Sequence, residues 1–443
     1  MSFQSGLSGL NAAAKNLDAI GNNVANSNTV GFKGSTAQFA DLYANAAGGS
    51  GGITIGIGTQ LSKVAQQFTQ GNITITGSPL DMAINGGGFF RMSHGGIINY
   101  TRDGQFSLDK EGYLVNAATD RLTGYRANAN GTLDTSAPGD LQISSADIPP
   151  SLTTEVQAQV NLDSRLSALD WTAFSPSNSA TYNSATSVSV YDTLGNQHAL
   201  SMYFVKSNDA VNYPANTWWV MGALDGTQLN PDTAVTGPPQ QYDPIAVLVF
   251  DPSTGAIDSA LTQAAVTTAA TVAGGAITGM VYPFTPSATL TNGANSPLDF
   301  TLDFTGTTQY GAPFAANGLT QDGYAPGRLS GYNVGGDGTI LGRYSNGQSK
   351  TLGQVVLSNF PNPNGLNSLG GNSWAESIDS GQPLVGVPGA GKLGQIQAGA
   401  VEDSNVDVTA ELVKMITAQR IYQSNAQTIK TQDSVLQTLV NMR

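Results

Sequence analysis

Apolar residues recur at alternating spacings of four and three near the start of the chain, through Phe3, Leu7, Leu10, Ala14, Leu17, Gly21 and Val24. That heptad predicts an amphipathic helix, with Ala13 and Ile20 widening its stripe. The run Ala25-Asn26-Ser27-Asn28-Thr29-Val30-Gly31 favours leaving the helix. The far end repeats the device at greater length: Leu412, Met415, Gln419, Tyr422, Ala426, Ile429, Asp433, Leu436 and Val440 keep the same alternation, flanked by Ile416 and Leu439. Asp403-Ser404-Asn405 offers N-caps, and Asp407 and Glu411 fall where the helix dipole favours anions. An unbroken helix from Ser404 to Met442 would run about 58 Å.

Two heptad helices at the two ends predict that they pair as a coiled coil. Its seam would contain Phe3, Leu7, Leu10, Leu17, Val24, Leu412, Met415, Tyr422, Ile429, Leu436 and Val440. The alternative is that each helix packs on its own β domain. Ala, Gly, Gln and Asp on the stripes make them too narrow for that, and isolated helices of this kind are marginal. Both are therefore expected to order in an assembly.

Between the helices the period changes. Ala44 to Gly58 is rich in Gly, Ala and Ser and predicts a flexible connection. Short strands separated by turn signals follow, then longer ones. Ser187 to Tyr191 and Ala199 to Val205 predict a hairpin about Leu194-Gly195-Asn196, and Leu298, Phe300, Leu302 and Phe304 alternate with polar residues as a strand with one dry face. The fold class is mainly β with α-helical termini: coiled-coil terminal helices, a two-segment inner β domain and an inserted outer β domain. The expected boundaries are 1–43 and 395–443 for the helical domain, 44–69 for the linker, 70–145 and 319–394 for the inner domain, and 146–318 for the outer one.

Composition narrows the function. Of 443 residues only 11% are charged, against roughly 25% in ordinary soluble domains, so much of the surface could meet other protein. A formal charge of −13 argues against nucleic acid and anionic membrane partners. The absence of cysteine removes thiol catalysis, disulfides and thiolate metal sites. The first residues carry neither a basic leader nor an apolar core, so no cleavable secretory signal is expected there. The charge-free run from Ser259 to Leu298 is laced with Thr, Gly and Pro and makes a poor membrane helix.

Formal matches to catalytic patterns fail on context. Gly48-Gly49-Ser50-Gly51-Gly52 lacks the strand and helix of a nucleophile elbow. Gly389-Ala390-Gly391-Lys392-Leu393-Gly394 lacks a βαβ unit and reads as a linker. Asp299 and Asp303 sit roughly 13 Å apart on one strand, wider than a glycosidase pair requires. His94 and His198 lack partners at metal-ligand spacing and are expected at the surface. Of Trp218 and Trp219, one is expected in the core and one outside. No catalytic residue, metal site or cofactor is expected, and the chain does not read as an enzyme.

Longer stretches carry a resemblance. Ser8 to Lys33, with Ala25-Asn26-Ser27-Asn28-Thr29-Val30-Gly31-Phe32-Lys33, is similar to the N-terminal signature of bacterial flagellar rod and hook proteins. Gly77-Ser78-Pro79-Leu80-Asp81-Met82-Ala83-Ile84-Asn85-Gly86-Gly87-Gly88 and Tyr100-Thr101-Arg102-Asp103-Gly104-Gln105-Phe106 resemble that family's inner domain. Ser404 to Ile416 resembles its C-terminal signature. Rod members are shorter and lack a large outer domain, so the insert points to the hook class, with a distal rod subunit as the alternative.

The resemblance implies a structural subunit exported through the flagellar type III apparatus. It would polymerise with itself outside the cell into a curved, flexible tube that transmits torque. Its other partners would be the distal rod, the hook cap and the hook–filament junction proteins.

Overall fold

In the computed structural model, residues 2–43, 56–209, 212–229, 243–268, 281–284, 290, 292–295 and 298–441 are described. The chain divides into two units, 1–145 with 330–343 and 348–443, and 146–329 with 344–347. Three helices are described: α1 (Ser2–Ala25), α2 (Ser259–Thr268) and α3 (Val408–Asn441).

The first unit begins with α1 and an antiparallel strand pair, β1 (Ser35–Tyr43) and β2 (Gly56–Gln66), in register at Phe39 and Leu61. Of the stretch 44–69 expected as a linker, residues 44–55 lie outside the described residues, as does Gly48-Gly49-Ser50-Gly51-Gly52. The remainder departs from the expectation, because Gly56–Gln66 is a strand laid against α1. Thr59 N donates to Ser8 Oγ at 3.3 Å, and a Cβ on Gly58 would collide with that hydroxyl, so glycine is required for the approach.

Short strands follow: β3 (Ile73–Ile75), β4 (Met82–Asn85), β5 (Phe89–His94), β6 (Ile97–Thr101) and β7 (Arg121–Arg126). Aromatic rings fill the space behind β5 and β6. Phe68, Phe89, Tyr100, Phe360 and Trp374 meet edge to face at centroid separations of 4.7 to 6.0 Å, the arrangement that ring quadrupoles favour.

The second unit packs two sheets over one core. One contains β8 (Glu155–Asp163) beside β12 (Phe300–Asp303) and β13 (Ala315–Gln321). The other contains β9 (Ser184–Tyr191), β10 (Gln197–Lys206) and β11 (Thr217–Leu224). The expected hairpin is β9–β10, closed by Asp192, whose Oδ1 accepts from Leu194 N and Asn196 N at 2.9 and 2.8 Å. Leu298, Phe300, Leu302 and Phe304 are all buried, as the alternation predicts.

Two expectations fail in this unit. Trp218 and Trp219 are both buried, because Trp171 and Tyr213 cover the outer face of β11 at 5.2 and 4.7 Å from Trp219. His198 is also buried, held by Asp225 Oδ2 at 2.6 Å and Asp192 Oδ2 at 3.3 Å. The two carboxylates make burial of an imidazole tolerable. His94 is exposed as expected and touches Asp120.

The return into the first unit falls at 330 and not at 319, since β13 completes the sheet around β8. There β14 (Ser349–Val355) pairs with β7. The run Gly389 to Gly394 forms a turn, with Gly394 N donating to Gly87 O at 2.7 Å. Then β15 (Gln395–Ala398) pairs with β4 and β16 (Ala400–Glu402) with β3. Residues 395–402 are thus β-sheet partners, where a helical domain was expected.

Candidate assembly interface

The two terminal helices lie side by side and antiparallel. Near one end Gly6 faces Ile429 and Gly9 faces Asn425, and near the other Asn23 Nδ2 donates to Glu411 Oε2 at 3.3 Å. A Cβ on Gly9 would sit 2.9 Å from Asn425 Nδ2, so a larger residue here would have to displace the Asn425 side chain. Gly6, Ala13, Ile20 and Asn23 are buried on α1, and Glu411 and Ala418 on α3.

This contact line is turned by up to one position from the expected seam, or roughly 100° of helix. Leu10, Leu17, Val24, Met415 and Ile429 are half-buried along its flank. Leu7, Leu412, Tyr422 and Leu436 point outward. The side chains of Phe3 and Val440 lie outside the described residues. Small residues, Gly6, Gly9, Ala13 and Ala418, lie on the line where the helices approach, and Leu7 and Leu412 lie off it. Apolar surface is left over, with Leu412 45%, Val413 61%, Ile416 53% and Leu436 53% exposed.

Polar groups fix the helices to the β strands. Asn23 Oδ1 accepts from Ser35 N, and Asn405 Oδ1 from Gly34 N, both at 2.8 Å. Asn405 Nδ2 reaches Gln67 O at 2.6 Å. Because Asn405 is committed to this anchor, α3 begins later than expected. Its cap is Asp407, whose Oδ1 accepts from Thr409 N and Ala410 N at 2.8 and 3.2 Å. The helix of 34 residues is about 51 Å long, not 58.

Beneath the anchor lies an ion triad that sequence reasoning missed. Glu402 receives Lys33 Nζ at 2.6 Å on one oxygen and Arg102 Nη1 at 2.8 Å on the other, and the side chains of Lys33 and Glu402 are 0% exposed. Gly71 N adds a third donor to Glu402 at 2.8 Å, while Lys33 also reaches Thr69 O at 2.7 Å and Arg102 reaches Gly86 O at 2.7 Å. Burial pushes the Lys33 amine below its ordinary range, against the opposing pull of Glu402. The triad joins the segment leaving α1, strand β6 and the segment entering α3. No spacing rule links positions 33, 102 and 402. The one available signal is Lys33, a lone charge between Phe32 and Gly34; Arg102 and Glu402 each stand beside an aspartate and give no such mark.

Comparison with known proteins assigns this arrangement of paired terminal helices and an inserted β unit to the flagellar rod and hook subunits. Residues 3–33 match the family model of flagella basal body rod proteins, and 397–442 match the rod FlgEFG C-terminal family. Residues 83–164 match the flagellar hook protein FlgE/F/G D1 domain, and 161–324 the FlaE D2 domain.

The flagellar hook protein FlgE of Escherichia coli K12 is 42% identical, with 100% of both chains covered. That of Salmonella typhimurium LT2 is 42% identical with 100% of both covered, and that of Rhizobium meliloti 31%, covering 100% of this chain and 98% of the relative. A crystal structure of Helicobacter pylori FlgE2 shares the fold at a TM-score of 0.50 and 16% identity, over 73% of this chain and 99% of that one. The chain belongs to the flagellar hook protein FlgE family. It is a hook subunit and not a distal rod subunit.

Proposed function

We propose that the chain acts as a structural subunit, without catalytic activity, that polymerises outside the cell into a curved, flexible tube transmitting torque from rod to filament. The observation that carries this reading is the apolar surplus on α3. After pairing with α1, the helix still exposes Leu412, Val413, Ile416 and Leu436 to water, and burying what remains exposed of each against a neighbouring copy would contribute about 1–1.5 kcal/mol, roughly half the value for a fully exposed side chain. Helix pairs from many copies would then form a coiled-coil wall, with the distal rod, the hook cap and the hook–filament junction proteins meeting its two ends. Delivery through the flagellar type III apparatus suits a chain without cysteine, since no disulfide obstructs passage of an unfolded polypeptide.

The test substitutes Leu412→Asp and Leu436→Asp separately in the full chain and follows polymer by sedimentation. Loss of polymer with unchanged monomer unfolding supports the reading. Normal polymer from both variants refutes the interface.

A further inference from the structure

Asparagine followed by glycine is the sequence most open to self-modification, because glycine leaves the following backbone nitrogen unshielded. Six such pairs occur here, at 85–86, 130–131, 292–293, 317–318, 346–347 and 364–365. The fold treats them unequally. Gly86 N donates to Gln70 Oε1 at 3.0 Å, Gly131 N to Asn128 O at 2.9 Å, Gly347 N to Tyr344 O at 3.0 Å and Gly365 N to Asn362 O at 3.1 Å. Gly318 is fixed in the β8–β13 pair opposite Gln159. Gly293 N has no acceptor among the described residues. It follows an exposed Asn292 and sits at φ +84°.

We propose that Asn292 is a site of spontaneous deamidation selected by the fold, and that its conversion loosens the turn it fastens. The Gly293 backbone nitrogen bonds to Asn292 Cγ, and its hydrogen departs with the side-chain amino group as ammonia, leaving a cyclic imide. Water then opens one of the two imide C–N bonds, giving aspartate or isoaspartate.

The position makes the change consequential. Asn292 Nδ2 donates to Asp192 Oδ2 at 2.6 Å, and Asn295 N to Thr193 Oγ1 at 3.0 Å, so the segment 292–295 is tied to the β9–β10 turn. The Asp192 side chain is fully buried. Burial pushes its carboxyl up, but the donors Asn196, Asn292 and His198 outweigh this and hold it well below the usual carboxylate range. Deamidation replaces one of those donors by a second carboxylate facing the first, which reverses the sign of the contact. His198 remains the counter-ion between Asp192 and Asp225.

The experiment ages the native full chain in mildly alkaline buffer and quantifies each of the six pairs by peptide mass mapping, with a parallel sample in denaturant. Residue 292 should convert fastest in the native chain. The four pairs with bonded glycine nitrogens should lag by about two- to tenfold, since in each the attacking nitrogen must first leave its acceptor, whereas at 292 only the amide is held, by Asp192 Oδ2 and by Ala294 N. The six should convert at comparable rates in denaturant. The aged fraction should lose hydrogen-exchange protection at 192–196, as should Asn292→Asp without ageing. A different pair leading in the native chain, or residue 292 leading equally in denaturant, would overturn the proposal. So would unchanged protection at 192–196 in both samples.

Discussion

Replacing Glu402 by Gln keeps its shape and removes the only anion of the buried triad. Lys33 and Arg102 then face each other across a neutral amide whose nitrogen, itself a donor, must point at one of them. Breaking a buried pair by removing one partner costs about 3–5 kcal/mol, because the remaining charge is left uncompensated. Here two cations remain. At a urea m-value of about 2 kcal/mol/M, that cost would lower the unfolding midpoint of the first unit by roughly 2 M.

Hydrogen exchange with peptide resolution in the full chain reads the two units separately. Protection should fall in peptides covering 69–126 and 395–402 while β8 to β13 stay unchanged. The triple substitution Lys33→Met, Arg102→Met and Glu402→Met should recover part of the loss, since an apolar replacement strands no charge. A midpoint shift corresponding to less than about 0.5 kcal/mol, the range of ordinary surface substitutions, would refute the assignment of the triad as an anchor.

Further outcomes follow from the same geometry. Asp407→Ala removes the N-cap of α3 and should cost about 1 kcal/mol, seen as faster exchange confined to the helix's first turn. Gly9→Val should separate α1 from α3, lowering helical signal and polymer yield while leaving the second unit's unfolding unchanged. Burial works against charge on His198, but the bonds and attraction of Asp225 and Asp192 outweigh it and raise the imidazole above its ordinary value. A raised folded-state value means that its stabilisation is complete below about pH 6.5 and is lost as pH climbs from there through the raised value of the folded state. The second unit should therefore unfold at lower urea at alkaline pH than at about pH 6, and His198→Asn should flatten that dependence.

Much of this architecture is legible in the sequence because its signals are periodic. The β9–β10 hairpin and the alternation from Leu298 to Phe304 come from a two-residue period with turn residues between, and the terminal helices from a heptad. What escapes is set by contacts between distant segments. Trp218 and Trp219 share burial because residues 171 and 213 cover the second face of β11, which no local pattern encodes. His198 is buried because Asp192 and Asp225 meet it across two turns. The helix seam is legible as a stripe but not in its rotation, since Gly6, Gly9 and Ala13 count as weak hydrophobes in a pattern, whereas in space Gly6 and Gly9 face Ile429 and Asn425 and Ala13 is buried. Asn405 looks like a cap in sequence and acts as a strut in structure, because Gly34 and Gln67 reach it first.

The terminal helices would build the tube through the apolar surface they leave uncovered. Electron microscopy of the purified full chain beside a chain lacking residues 1–30 and 404–443 tests it most directly. Curved tubes from the full chain and monomers from the trimmed one are expected. Tubes from the trimmed chain, or straight rods from the full one, would contradict it.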